Sequence, residues 1–264
     1  MGAVDLTCGR PLADAVEQLL SGAGGDPLLV SDYDGTLAPF RKERNEAVPP
    51  PSVRRALEAI LEAGGDLLIL SGRRAEEVAS LLGLPVEIRG CHGWERLTAE
   101  GVLNSPSLRD WESHALESLA SELSGFPPPA VERKPISVAL HWRGRDSVKE
   151  SYDVVSDRLV RAARQAGLEV LPFNGGVEYR LPGCTKGRAM ERILEERGGP
   201  VCYLGDDVTD EDAFRVLRGR GLGILVGDRA RTEAELRISP GCTEAFLGLW
   251  REALTKTGAG GRRR

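Results

Sequence analysis

Apolar runs and helical patterns alternate along the first part of the chain. The stretch "PLLVSDYD" (27–34) is a short continuous apolar run, which predicts a buried strand. The segment "PPSVRRALEAILEAGG" (50–65) carries Val53, Leu57, Ile60 and Leu61 at helical spacing. Prolines open it and Gly64-Gly65 close it, so it predicts one helix. A second buried strand, "DLLILSGR", is followed by a second helix, "AEEVASLLGL", and a shorter strand, "VEIRGCHG". Strand–helix alternation of this kind predicts a parallel sheet with helices on its faces. The pattern returns late, with "TKGRAMERILEERGG" and "TDEDAFRVLRGRG" as helices and "PVCYLGDD" and "LGILVGD" as strands.

The middle of the chain has another rhythm. A helical stretch, "SLRDWESHALESLASEL", runs into the proline-rich break "GFPPPA". The segment "VERKPISVALHWR" then alternates as a strand pair. A long helix, "DSVKESYDVVSDRLVRAARQAG", precedes two short strands, "LEVLPF" and "GVEYRLP". The expectation is an α+β unit, a small antiparallel sheet covered by two helices, over residues 105–182. It is inserted into an α/β domain made of 1–104 and 183–264.

Composition narrows the function classes. The net charge is −5 over 264 residues, so no global basic field invites nucleic acid or an anionic membrane. No apolar run reaches the roughly 20 residues that span a bilayer. The start, "MGAVDLTCGR", lacks a basic stretch followed by an apolar one, and Leu6 stands where a myristoylation signal needs Ser or Thr. The tail, "TKTGAGGRRR", reads as a frayed end. Cys8, Cys91, Cys184, Cys202 and Cys242 are odd in number and scattered, with no CxxC pair. They predict reduced, mostly buried thiols in a cytoplasmic protein.

The chemistry collects where strands should end. Open parallel sheets bind ligands beyond the carboxyl ends of their strands. Four polar clusters fall there: Asp32 with Asp34, "SGR" at 71–73, Lys186 with Gly187, and "GDDVTDED" at 205–212. Taken singly, each would serve as a turn or a helix cap. Together, Asp32, Asp34, Asp206, Asp207 and Asp210 cannot crowd in ionised form without a cation. Hard carboxylate and carbonyl oxygens, without His or Cys, suit Mg2+. Lys186, at a helix start, and the amides around Ser71 and Gly72 add donors for an anion. This set is a trap for a phosphoryl group, in which one aspartate attacks phosphorus and an acid two residues away moves the proton.

In this order, "DYDGTL", "SGR", "KG" and "GDDVTDE" resemble the four motifs of the haloacid dehalogenase (HAD) superfamily of aspartate-nucleophile phosphohydrolases. The resemblance runs from about residue 26 to 250. It implies a Rossmann-like HAD core with an inserted α+β cap. By it, Asp32 is the nucleophile, Asp34 the general acid/base, and Ser71, Gly72 and Lys186 bind the phosphoryl group. Mg2+ would be held by Asp32, the backbone carbonyl of Asp34, and Asp206, with Asp207 and Asp210 acting through water or by positioning.

Within that superfamily, "HGWE", "VERKPISVALHWR", "GVEYR" and "YLGDDVTDEDAF" are similar to trehalose-6-phosphate phosphatases. That resemblance puts Glu132, Lys134, His141, Arg143 and Glu178 in the cap as sugar-binding residues. Glu178-Tyr179-Arg180-Leu181 departs from the family's usual E-V-R-P, which leaves the role of Arg180 open. Strand alternation agrees with a shared face: Glu132 with Lys134 on one strand, His141 with Arg143 on the next, and Trp142 near. Cross-strand salt bridges on a solvated face would leave the same pattern. His92 either lines the cleft between the domains or is a satisfied loop histidine. The function implied is hydrolysis of trehalose 6-phosphate by a cytoplasmic monomer. The alternative is a related phosphatase for sucrose 6-phosphate, a glycosylglycerate phosphate or a pseudo-disaccharide phosphate. A catalytically dead module would lack Asp32 or Lys186, and a sugar mutase would carry its insertion after the first motif rather than the second.

Overall fold

The structure is a computed structural model and describes residues 4–5, 10–22 and 24–257. The N-terminal stretch in which no leader signal was expected and the basic tail lie largely outside these residues. Two compact units emerge, one from 1–104 with 185–264 and one from 105–184.

The larger unit opens with β1 (Val4–Asp5), α1 (Arg10–Gly22), β2 (Leu28–Ser31), α2 (Pro51–Glu62), β3 (Asp66–Leu70) and α3 (Ala75–Leu82). β4 (Glu87–Gly90), β5 (Glu95–Leu97) and β6 (Leu103–Asn104) follow. The smaller unit holds α4 (Asp110–Glu122), β7 (Val131–Lys134), β8 (Ser137–His141), α5 (Asp146–Gln165), β9 (Glu169–Phe173) and β10 (Gly176–Arg180). The chain then returns through α6 (Lys186–Glu196), β11 (Val201–Gly205), α7 (Glu211–Leu217), β12 (Leu222–Val226), β13 (Leu236–Ile238) and α8 (Thr243–Thr257).

Among the described residues the larger unit forms a nine-stranded sheet in the order β1-β13-β12-β11-β2-β3-β4-β5-β6. Pairing is parallel from β1 to β4 and antiparallel across β4-β5-β6. Alternate strand residues feed two cores, as a period of two requires. Leu29, Ile69, Ile88 and Leu204 pack with α1, α2, α3 and α8 on one face. Leu28, Val30, Leu70 and Tyr203 pack with α6 and α7 on the other. In α2, Val53, Leu57 and Ile60 are buried, each contributing about 1.5–3 kcal/mol of transfer free energy, whereas Leu61 is only partly buried.

Two helices lie outside the predicted set. α8 buries Phe246, Leu247, Trp250, Ala253 and Leu254, and α1 buries Leu12, Val16 and Leu20. Both have helical spacing, and they close the sheet face that the predicted helices alone leave open. Among the described residues, Cys242 also departs from expectation. Cys91 and Cys202 are buried, but Cys242 is disulfide-bonded rather than reduced. Spacing along the chain does not show which cysteines the fold brings together. No described helix is long and apolar enough to cross a membrane.

The smaller unit has the antiparallel sheet β7-β8-β10-β9. Its register aligns Glu132, Ala139, Glu178 and Leu171 across one face, with Lys134, Ser137, Arg180 and Glu169 in the next row. Val138, Leu140, Val177 and Tyr179 alternate onto the opposite, buried face.

Candidate active site

The chain runs from β2 outward through β3 and β4, then returns on the other side of β2 with β11 and β12. β2 and β11 therefore flank the switch point where an open parallel sheet leaves a crevice. Asp32 follows β2, and Asp206 follows β11. The Asp32 amide donates to the Leu204 carbonyl at 2.8 Å, which sets the two strand ends level. Lys186 is the first residue of α6, whose cap Thr185 accepts from the Arg188 amide at 3.1 Å.

These elements bring Lys186 between two carboxylates. Its Nζ lies 2.7 Å from Asp32 Oδ1 and 2.6 Å from Asp210 Oδ1. All three side chains are buried. Burial pulls against the lysine's charge, but Asp210 and Asp32 outweigh it and hold Lys186 above the ordinary lysine range. Burial also pushes Asp32 up to about 7, against the pull of Lys186. Asp206 is pushed up to about 10 by burial, with Asp32 and Asp210 adding to it.

Asp210 has a role the motif alone left open. Oδ1 accepts from Lys186 and from the Tyr203 hydroxyl, and Oδ2 accepts from the amides of Asp206 and Asp207 at 2.9 Å each. A carboxylate so filled anchors the strand-end loop. Gly205 permits it, because a Cβ there would come within 2.4 Å of the Asp210 carboxyl carbon. Gly35 plays a similar part beside Asp206. Its φ of +85° favours glycine, and a Cβ would meet Asp206 Oδ2 at 2.1 Å.

One oxygen each from Asp32, Asp206 and Asp210 lie within 4.8 Å of one another. Because Asp210 is filled by four donors, Asp32 and Asp206 are the side chains suited to a cation. Burial raises both carboxylates, and the neighbouring acids add to it, so a further positive charge beside them would favour their ionised forms. All-oxygen donors fit a hard divalent ion. Asp34 accepts from Arg73 through both carboxylate oxygens, at 2.6 and 2.7 Å, so its side chain is already charge-paired and its backbone carbonyl is the oxygen better suited to such an ion.

Ser71 and Gly72 follow β3, the neighbour of β2. Ser71 is buried, and its Oγ accepts from the Arg73 amide at 3.2 Å. The loop is braced from β4. Cys91 donates to the Arg73 carbonyl at 2.6 Å and His92 to the Ser71 carbonyl at 2.9 Å. Both donors have positive φ, 49° and 57°, uncommon for such residues and a sign of a position the surroundings impose. The buried His92 ring lies against Gly72, so His92 stands behind the loop. Arg73, Tyr203 and Cys91 were not among the candidate residues named from sequence, although "SGR" contains Arg73 and "YLGDDVTDEDAF" begins at Tyr203.

In the smaller unit, Glu132 Oε2 lies 2.8 Å from His141 Nε2, and Lys134 Nζ donates to Glu178 Oε1 at 2.7 Å. Ser137, also missed in the sequence, donates to the same Glu178 oxygen at 2.6 Å. Glu132, Lys134, His141 and Glu178 thus share one polar face. Two neighbours lie past the end of β8. Trp142 stacks on Tyr152 of α5 at 4.8 Å. Arg143 lies beyond the end of β8, where its guanidinium donates to the Asn174 carbonyl in the β9–β10 turn. Arg180 donates to Glu169 at 3.2 Å.

Comparison with known proteins places this arrangement. A trehalose-phosphate phosphatase of Mycobacterium avium is 34% identical over 265 residues, covering 89% of this chain and 66% of that protein. One from Mycobacterium marinum is 31% identical over 253 residues, covering 88% and 63%. The chain thus spans a little under two thirds of the length of these curated relatives. The solved C-terminal domain of a C. albicans trehalose-6-phosphate phosphatase superposes with a TM-score of 0.72 at 20% identity, covering 91% of this chain and 96% of that one. That likeness is one of fold. The trehalose-phosphatase family model matches residues 30–237, from β2 to β13 and through all four polar clusters, and the chain belongs to that family.

Proposed function

We propose that this chain is a Mg2+-dependent phosphatase that hydrolyses trehalose 6-phosphate to trehalose and phosphate through an aspartyl-phosphate intermediate. The observation that carries the reading is the buried Lys186–Asp32 pair beside Asp206 at the sheet's switch point. The name of the curated relatives supports the substrate.

Asp32 attacks phosphorus with a carboxylate oxygen as the bond from phosphorus to the sugar oxygen breaks. Asp34 gives a proton to the departing oxygen. A water then attacks the phosphorus of the aspartyl phosphate and passes a proton back to Asp34. The phosphorus–Asp32 bond breaks, which restores the carboxylate and releases phosphate. Lys186, the Ser71 hydroxyl and the Gly72 amide bind phosphoryl oxygens and offset their charge. Asp32, Asp206 and the Asp34 carbonyl would hold a Mg2+ ion, which would supply positive charge beside the phosphoryl group and favour the ionised form of Asp32. The unit of 105–184 acts as the specificity cap, with Glu132, Lys134, His141, Arg143 and Glu178 binding sugar hydroxyls.

Phosphate release from a panel of sugar phosphates tests the reading. Trehalose 6-phosphate should be preferred, with activity lost in chelator and restored by Mg2+. Preference for sucrose 6-phosphate or a glycosylglycerate phosphate would move the assignment to a related sugar phosphatase. The reading includes a cytoplasmic monomer.

A further inference from the structure

We infer that Arg73 is a positioning residue for Asp34, and that it is itself fixed by Glu77 and Arg44. The inference rests on the proposed role of Asp34 in proton transfer. Arg73 Nε donates to Asp34 Oδ2 at 2.6 Å and Nη2 donates to Oδ1 at 2.7 Å. Two parallel bonds from a planar fork fix the plane of the carboxylate as well as its distance. The remaining nitrogen, Nη1, donates to the Arg44 carbonyl at 3.0 Å and to Glu77. Glu77 also accepts from the Arg44 guanidinium at 3.0 Å. Every guanidinium nitrogen of Arg73 is therefore committed. The Arg73 side chain is buried, at 7% exposure, while that of Asp34 keeps 27%. A buried, fully bonded cation thus orients a carboxylate that remains open to a reacting partner.

The position of Arg73 in the chain adds a second link. It follows Ser71 and Gly72 directly, and its amide and carbonyl are bonded to Ser71 Oγ and the Cys91 amide. The loop that would grip the phosphoryl group therefore also carries the brace for the proton carrier. Lysine cannot replace Arg73, because a point charge has no fork.

Leaving groups separate positioning from structural support. A sugar alkoxide needs a proton to depart, whereas p-nitrophenolate does not. In single-turnover quench experiments with Mg2+, Arg73→Lys should slow release of trehalose from trehalose 6-phosphate by roughly 10–100-fold. Release of p-nitrophenolate from p-nitrophenyl phosphate should slow by less than about threefold on the same grounds. Equal losses on both substrates, or no loss on the sugar substrate, overturn the inference. If circular dichroism shows Arg73→Lys unfolded, Glu77→Gln decides: the same split to a smaller degree supports the inference, and its absence overturns it. Wild-type protein inactive on both substrates sinks the proposed phosphatase function and this inference with it. Active wild type with unsplit losses sinks the inference alone.

Discussion

The Lys186 ammonium and Asp32 lie 2.7 Å apart in a buried pocket at the end of the central strand, and Asp210 holds the lysine from its other side. When Asp32 is neutralised, Asp210 remains 2.6 Å away as an anion for Lys186. That sets the first prediction. Asp32→Asn leaves Lys186 bonded to Asp210, so folding should survive, while the attacking carboxylate is gone. Turnover should fall by several orders of magnitude, since removing a nucleophile raises the barrier by several kcal/mol. Steady-state phosphate release checks it, and retention of a tenth of wild-type activity would assign the nucleophile elsewhere.

Asp210 should matter for stability as much as for turnover. Asp210→Asn replaces a carboxylate that accepts from four buried donors, Lys186, Tyr203 and the Asp206 and Asp207 amides, with a group whose NH2 must face some of them. Breaking a buried charged network of this kind costs about 3–5 kcal/mol. Urea unfolding should show that loss in the midpoint, and an unchanged midpoint would remove Asp210 from its anchoring role.

The carboxylates predict how metal and pH combine. Asp32 and Asp206 are raised from 3.8 to about 7 and about 10. The folded state thus holds protons that the unfolded chain has released, so without metal these groups stabilise the fold at low pH. That stability is lost as pH rises through the folded pKa values. A divalent cation replaces those protons. The rise in melting temperature on adding Mg2+ should therefore be larger at about pH 8 than at about pH 5. Differential scanning fluorimetry measures it, and a larger shift at the lower pH would contradict the site as described.

Glu178 provides the test of specificity. Its Oε1 accepts from both Lys134 and Ser137, so Glu178→Gln keeps an acceptor for these neighbours and preserves the local fold. If this carboxylate also holds a sugar hydroxyl, kcat/KM for trehalose 6-phosphate should fall about tenfold, equivalent to about 1.4 kcal/mol. p-Nitrophenyl phosphate offers no sugar and should be hydrolysed nearly as before. Parallel losses on both substrates would make Glu178 a structural residue of the smaller sheet.

The sequence by itself determined the alternation of strands and helices, the inserted antiparallel unit, and the four polar clusters at strand ends. Each follows from a local property, namely a period of two or 3.6 and the place where an apolar run stops. It could also place Glu132 and Lys134 on one face, because residues two apart on a strand share one. Tertiary structure decided which groups meet. Arg73 and Asp34 are 39 residues apart and pair because β2 and β3 are neighbours. Asp210 became an anchor because Gly205 leaves room for its carboxyl beneath the strand end. Trp142 stacks on Tyr152 and Arg143 reaches the Asn174 carbonyl because β8 ends at His141, a boundary set by pairing with β10. Partner choice depends on strand register and side-chain direction across the sheet, which periodicity along a single chain does not set.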